Sequence, residues 1–158
     1  MTMAPFFTRF PQLAVQETRL VTLQQSREIP DGEYAFFEWY CVDRACDCRR
    51  VLVEVMASTT GNQVWATINY GWESPAYYRQ WVGGWELART MLARGMAGAT
   101  LEPLGVQSPY ASAFLQLFEQ AVGDAEYIQC LQRHYQLFKG VPTPSKSLPR
   151  RGKRRSRR

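Results

Sequence analysis

The chain reads as an α+β fold, an antiparallel β-meander of three to four strands followed by packed α-helices. Three observations predict it. Short aromatic or β-branched runs come first, helical spacing takes over after Pro75, and the 158 residues are 46% hydrophobic. A chain of that size and composition builds its own core without disulfide staples, and strands followed by helices favour α+β over α/β.

In chain order, residues 1–15 show no clear period, and Pro5 and Pro11 argue against a long helix there. Glu17 to Leu23 alternates loosely and reads as a strand. Ile29-Pro-Asp-Gly-Glu is a turn, with Pro setting φ and Gly free to take positive φ. Tyr34-Ala-Phe-Phe-Glu-Trp-Tyr and Arg50-Val-Leu-Val-Glu-Val-Met-Ala have the composition of neighbouring strands. Ser58 to Asn62 makes the next turn, and Gln63 to Tyr70 another strand. Beyond Pro75, Tyr77, Tyr78, Trp81 and Trp85 fall at helical spacings, with a break or bend at Gly83-Gly84. Glu86 to Met96 continues as helix, and Pro103 and Gly105 mark a loop. Ser108-Pro109 reads as an N-cap and first helical residue. Gly123-Asp124 divides that helix from a last one, for which Gly140 suits the position after the C-terminus and Pro142 blocks continuation.

Net charge is +5, which suggests a nucleic-acid binder until its distribution is read. Residues 141–158 carry eight basic and no acidic side chains, leaving eleven basic against fourteen acidic in 1–140, a net of −3. The expected organisation is one globular domain, 1–140, and a disordered basic tail, 141–158, spaced by Pro142, Pro144 and Pro149. Contact with a polyanion, nucleic acid first, is assigned to Arg150, Arg151, Lys153, Arg154, Arg155, Arg157 and Arg158. The body offers no basic stripe beside its aromatic residues, so those read as core.

The N-terminus lacks a charged segment followed by a 7–15-residue apolar stretch, so no signal peptide is read, and no apolar run approaches the ~20 residues of a membrane span. The expected location is the cytoplasm, where four cysteines are ligands or free thiols before they are disulfides.

The strongest local feature is Tyr40-Cys41-Val-Asp-Arg-Ala-Cys46-Asp-Cys48-Arg-Arg, which joins two expected strands by about nine residues where hairpins usually take 2–5. Three thiols at C-x4-C-x-C spacing can reach one tetrahedral zinc at ~2.3 Å. The fourth cysteine and the sole histidine both lie in the last helix, in Cys130-Leu-Gln-Arg-His134. Their i,i+4 spacing puts them on one face, about 40° apart. The preferred ligand set is Cys41, Cys46, Cys48 and His134, a structural Cys₃His zinc site with Cys130 as the alternative fourth ligand.

The string Phe37-Glu38-Trp39-Tyr40-Cys41-x4-Cys46-Asp47-Cys48-Arg49-Arg50, with Arg133-His134-Tyr135 and Phe138-Lys139, resembles stretches of a group of small uncharacterised bacterial proteins. The resemblance encourages the pairing of loop with helix and implies no activity.

Catalytic readings are weaker. No G-x-x-x-x-G-K-[ST], G-x-G-x-x-G or H-E-x-x-H is present, which argues against nucleotide-driven chemistry and zinc-protease motifs. Glu38, within an aromatic strand, reads as a carboxylate paired with an arginine or a hydroxyl. The function expected is that of a non-catalytic zinc-binding adaptor. Its rival is a thiol- or zinc-dependent enzyme or redox sensor using the Cys41/Cys46/Cys48 loop and His134.

Overall fold

The computed structural model describes residues 2–140, and the basic tail lies outside the described residues. The elements run β1 (Met3–Pro5), a 3₁₀ turn (Phe6–Thr8), α1 (Pro11–Glu17), β2 (Arg19–Leu23), β3 (Gly32–Cys41), β4 (Arg50–Ala57) and β5 (Val64–Gly71). There follow α2 (Pro75–Val82), α3 (Glu86–Met96), β6 (Gly98–Leu101), α4 (Ala111–Ala121) and α5 (Ala125–Gly140). The class is α+β: one antiparallel sheet in the order β1-β3-β4-β5-β6, with β2 also on β3. β1 pairs with the end of β3, Met3 opposite Cys41, and β2 with its start, Leu23 opposite Gly32.

The expected meander is β3-β4-β5. Its alternation is strict in β4, where Val51, Val53, Val55 and Ala57 are buried and the residues between them half-buried. Tyr34, Phe36, Glu38 and Tyr40 of β3 share that inner face. Helices α4 and α5 cover it with Phe114, Phe118, Leu131, Tyr135 and Phe138, all buried. Tyr34 meets Phe114 edge-on at 4.9 Å between ring centroids, and Phe36 meets Phe118 at 5.7 Å.

Three elements were not read from the sequence. The unperiodic N-terminus holds β1 and α1; no long helix forms there, and Pro11 opens one of only seven residues. Glu17 closes that helix, so the strand expected from Glu17 starts at Arg19. Gly98, at φ 69°, turns the chain from α3 into the short strand β6. The expected start of α4 shifts as well. Ser108 accepts from the Tyr110 N–H at 3.1 Å, closing a turn just ahead of a helix that begins at Ala111. Gly140 is the last residue of α5, not the one beyond it.

Close packing leaves no room for a side chain at Gly71. A Cβ on Gly71 would lie 2.1 Å from the Met96 carbonyl oxygen and 2.5 Å from the Tyr78 hydroxyl. Gly71→Ala must push β5 away from α3 and α2, and is expected to cost about 1–3 kcal/mol in urea denaturation. An unchanged midpoint would show that these contacts yield freely.

The outer face of the sheet is also apolar. Phe37, Trp39 and Met56 line, with Ala14, Leu20 and Glu54, a cavity of about 570 Å³. Burial raises the pKa of the Glu54 carboxyl, and the adjacent Trp39 indole partly offsets the rise.

Candidate metal centre

The three cysteines of the β3–β4 loop converge. Cys41 ends β3, Cys48 precedes β4, and both are buried, while Cys46 between them is half-buried. Their sulfurs lie within 4.8 Å of one another, a group that can hold a metal ion. Three thiolates on a tetrahedral zinc stand about 3.8 Å apart, so binding requires the sulfurs to close by no more than about 1 Å.

The protein itself holds this loop in place. Tyr77 donates its hydroxyl hydrogen to the Asp47 carbonyl, and Tyr78 donates to the Arg49 carbonyl at 2.6 Å. From α5, Lys139 donates to the carbonyls of Asp43 and Cys46, the latter at 2.8 Å. Arg49 turns the chain out of the loop at φ 43°, a left-handed conformation uncommon outside glycine. Its guanidinium holds Asp47 at 2.9 Å and Glu73 at 3.1 Å and lies over the Tyr77 ring, so the strained turn is fastened on three sides.

Burial favours the protonated form of the Cys46 and Cys48 thiols. Burial pushes Cys48 up to about 12, and the neighbouring sulfurs add to it while Lys139 pulls the other way. Cys46 is raised by the same burial and by Cys41. Neither has the lowered pKa of a nucleophilic cysteine. A bound cation would reverse the balance by stabilising thiolates.

His134 does not join these three. Tyr135 and Lys139 are the residues of α5 that face the loop, and successive helical residues point about 100° apart. His134 therefore looks toward Glu38 and the N-terminal segment. Its Nδ1 is 2.6 Å from Glu38 Oε2 and its Nε2 is 2.6 Å from Glu17 Oε2. Phe6 stacks on the imidazole at 4.2 Å between centroids. The Cys₃His set read from the sequence thus divides into Cys41, Cys46 and Cys48 in one place and His134 in another. Cys130 goes with the histidine, its sulfur 3.5 Å from Nε2 and 3.6 Å from Glu17 Oε2.

Both ring nitrogens lie against carboxylate oxygens, an arrangement that favours an imidazolium donating from each nitrogen. Burial alone would lower the His134 pKa, but the bonds to Glu38 and Glu17 outweigh it and the net shift is upward. Glu17 is lowered by the same His134 bond, against burial, with Arg133 assisting. Glu38 also accepts from the Tyr40 hydroxyl at 2.7 Å, and Tyr40 shares its proton with the Leu131 carbonyl at 3.0 Å. The expected hydroxyl partner for Glu38 is present, and the histidine is the one not foreseen. Cys130 is pushed up to about 11 by burial and by Glu38 and Glu17. The sulfur–imidazole–carboxylate line of Cys130, His134 and Glu38 therefore lacks an activated thiol.

Glu17 was missed because its partners lie more than 110 residues away, at Cys130 and His134. A single acidic residue after a helix-compatible stretch was the available signal. No described helix is long and apolar enough to cross a membrane. Compared with protein families, curated proteins and solved structures, the chain matches none of them.

Proposed function

We propose that this chain is a small, non-catalytic zinc-binding adaptor. One zinc ion held by Cys41, Cys46 and Cys48 fixes the β3–β4 loop beside α5, and the basic segment 141–158 contacts a polyanion, with nucleic acid the first candidate. The observation that carries it is the convergence of three sulfurs on a loop already held by hydrogen bonds. A thiol-only donor set favours zinc over calcium or magnesium, which take oxygen ligands. Iron–sulfur clusters are commonly held by four cysteines, one more than this loop offers. The charge division of the sequence assigns phosphate contact to the tail, because the acidic body repels a polyanion.

The competing reading, a zinc- or thiol-dependent enzyme or redox sensor, has one observation in its favour. Three protein ligands is also the count of a catalytic zinc site.

One experiment with two arms separates these. Metal content of the full chain by inductively coupled plasma mass spectrometry is expected to fall by one zinc in Cys46→Ser. Deletion of 141–158 should abolish binding to labelled DNA or RNA in fluorescence anisotropy, with the zinc unchanged. Seven phosphate contacts would give the intact chain a salt slope near −6 on duplex DNA, at roughly −0.9 per contact. A zinc content in Cys46→Ser equal to that of the wild type would overturn the metal site. Binding that survives the deletion would move the partner to the body.

A further inference from the structure

The group formed by Glu17, Cys130 and His134 does more than close the N-terminal segment. We propose that it is a second zinc site, with these three residues as ligands and Glu38 as the partner that orients His134. It does not depend on the three-cysteine reading.

Geometry is the first argument. At Zn–N, Zn–S and Zn–O distances of about 2.0–2.3 Å, a tetrahedral ion sets N···S and S···O edges near 3.6 Å and an N···O edge near 3.3 Å. The observed edges are 3.5 Å from Cys130 Sγ to His134 Nε2 and 3.6 Å from Cys130 Sγ to Glu17 Oε2. Only the Nε2–Oε2 edge, at 2.6 Å, has to open, by about 0.7 Å. Glu17 is free to supply that movement, because its side chain is 30% exposed and ends a short helix.

The second argument is the support around the histidine. Metal-bound histidines commonly donate their other ring N–H to a carboxylate. Here Nδ1 meets Glu38, Glu38 accepts from Tyr40, and Phe6 fixes the ring plane. A chain of this kind orients Nε2 toward the metal and keeps the tautomer that has a lone pair there.

Room for the ion is the third. Binding displaces the proton on the Cys130 sulfur and any proton on His134 Nε2. Arg133, bonded to Glu17 Oε2 and 3.8 Å from Cys130 Sγ, is 53% exposed and can swing aside while still donating to the sulfur. Glu17, Cys130 and Arg133 line a surface cavity of about 510 Å³, which has room for a water as the fourth ligand. A sulfur–nitrogen–oxygen set with one open position suits zinc and excludes the all-oxygen ions.

The test uses the full chain, stripped of metal under reducing conditions, reloaded with zinc sulfate and dialysed. Two zinc ions per wild-type chain are expected, and one in Cys130→Ala, which leaves the Glu17–His134–Glu38 bonds in place. One in the wild type and none in Cys130→Ala would support this site while overturning the three-cysteine one. Equal zinc in the two proteins, whatever its amount, overturns this proposal. Cadmium NMR of the wild type gives a readout that needs no variant. A single-thiolate resonance, well upfield of a three-thiolate one, is expected, and its absence overturns the site. Glu38→Gln should weaken zinc here by about 10–100-fold in a competition titration, with cysteine-loop binding unmoved.

Discussion

His134→Ala is expected to destabilise the metal-free protein by about 3–5 kcal/mol, the cost of stranding a buried charge when its partner is removed. His134 is fully buried and Glu38 is 4% exposed, so no solvent replaces the lost imidazolium. Tyr40 still donates to Glu38, but one hydroxyl does not neutralise a carboxylate. The stacking surface on Phe6 is lost as well. The measurement is urea denaturation with chelator present, which separates the effect from any bound metal. In a double-mutant cycle, Glu38→Gln should recover about 0.5–3 kcal/mol of the cost, since the carboxylate is no longer there to be stranded. Glu17→Gln should cost about 1 kcal/mol or less, because that carboxylate reaches solvent and keeps an amide in its place. A loss below about 1 kcal/mol for His134→Ala would mean that the imidazolium is not the counter-charge of Glu38.

Zinc itself should stabilise the cysteine loop by a comparable amount. At free zinc 1,000 times the dissociation constant, a ligand that binds only the folded state adds about 4 kcal/mol. For a domain of this size that corresponds to roughly 10 °C in Tm, less whatever zinc the unfolded thiols hold. Measured in the Cys130→Ala background, the shift reports the loop alone. Cys48→Ser in that background should abolish it, and should also cost about 1–3 kcal/mol without metal, because Cys48 is fully buried and the new hydroxyl has no assigned partner. A zinc-dependent shift that persists in Cys48→Ser would remove that residue from the ligand set. The loop is held by Tyr77, Tyr78 and Lys139 in any case, so the fold is expected to survive chelation with lowered stability.

The legible parts of this chain were those governed by local period. The β-branched run Arg50–Ala57 identified β4, and the aromatic run 34–40 lies within β3. The i,i+4 spacing correctly put Cys130 and His134 on one face of α5, where their side chains are 3.5 Å apart. The clustering of Cys41, Cys46 and Cys48 was legible because all three lie on a single loop, whose length limits how far the sulfurs can separate.

What the sequence by itself determined, then, is the α+β class, the strands of the meander, the three-thiol loop and the charge division between body and tail. The tertiary structure alone decided what each face of α5 meets. Tyr135 and Lys139 reach the cysteine loop, while His134, about 100° around the helix from Tyr135, is closed in by Phe6 and Glu17. The N-terminal segment arrives there because β1 and β2 both pair with β3, one at each end, and carry the turn and α1 between them across Glu38. That placement depends on strand pairing and packing between residues more than 110 positions apart, and periodicity within a window of a dozen residues carries no information about such contacts.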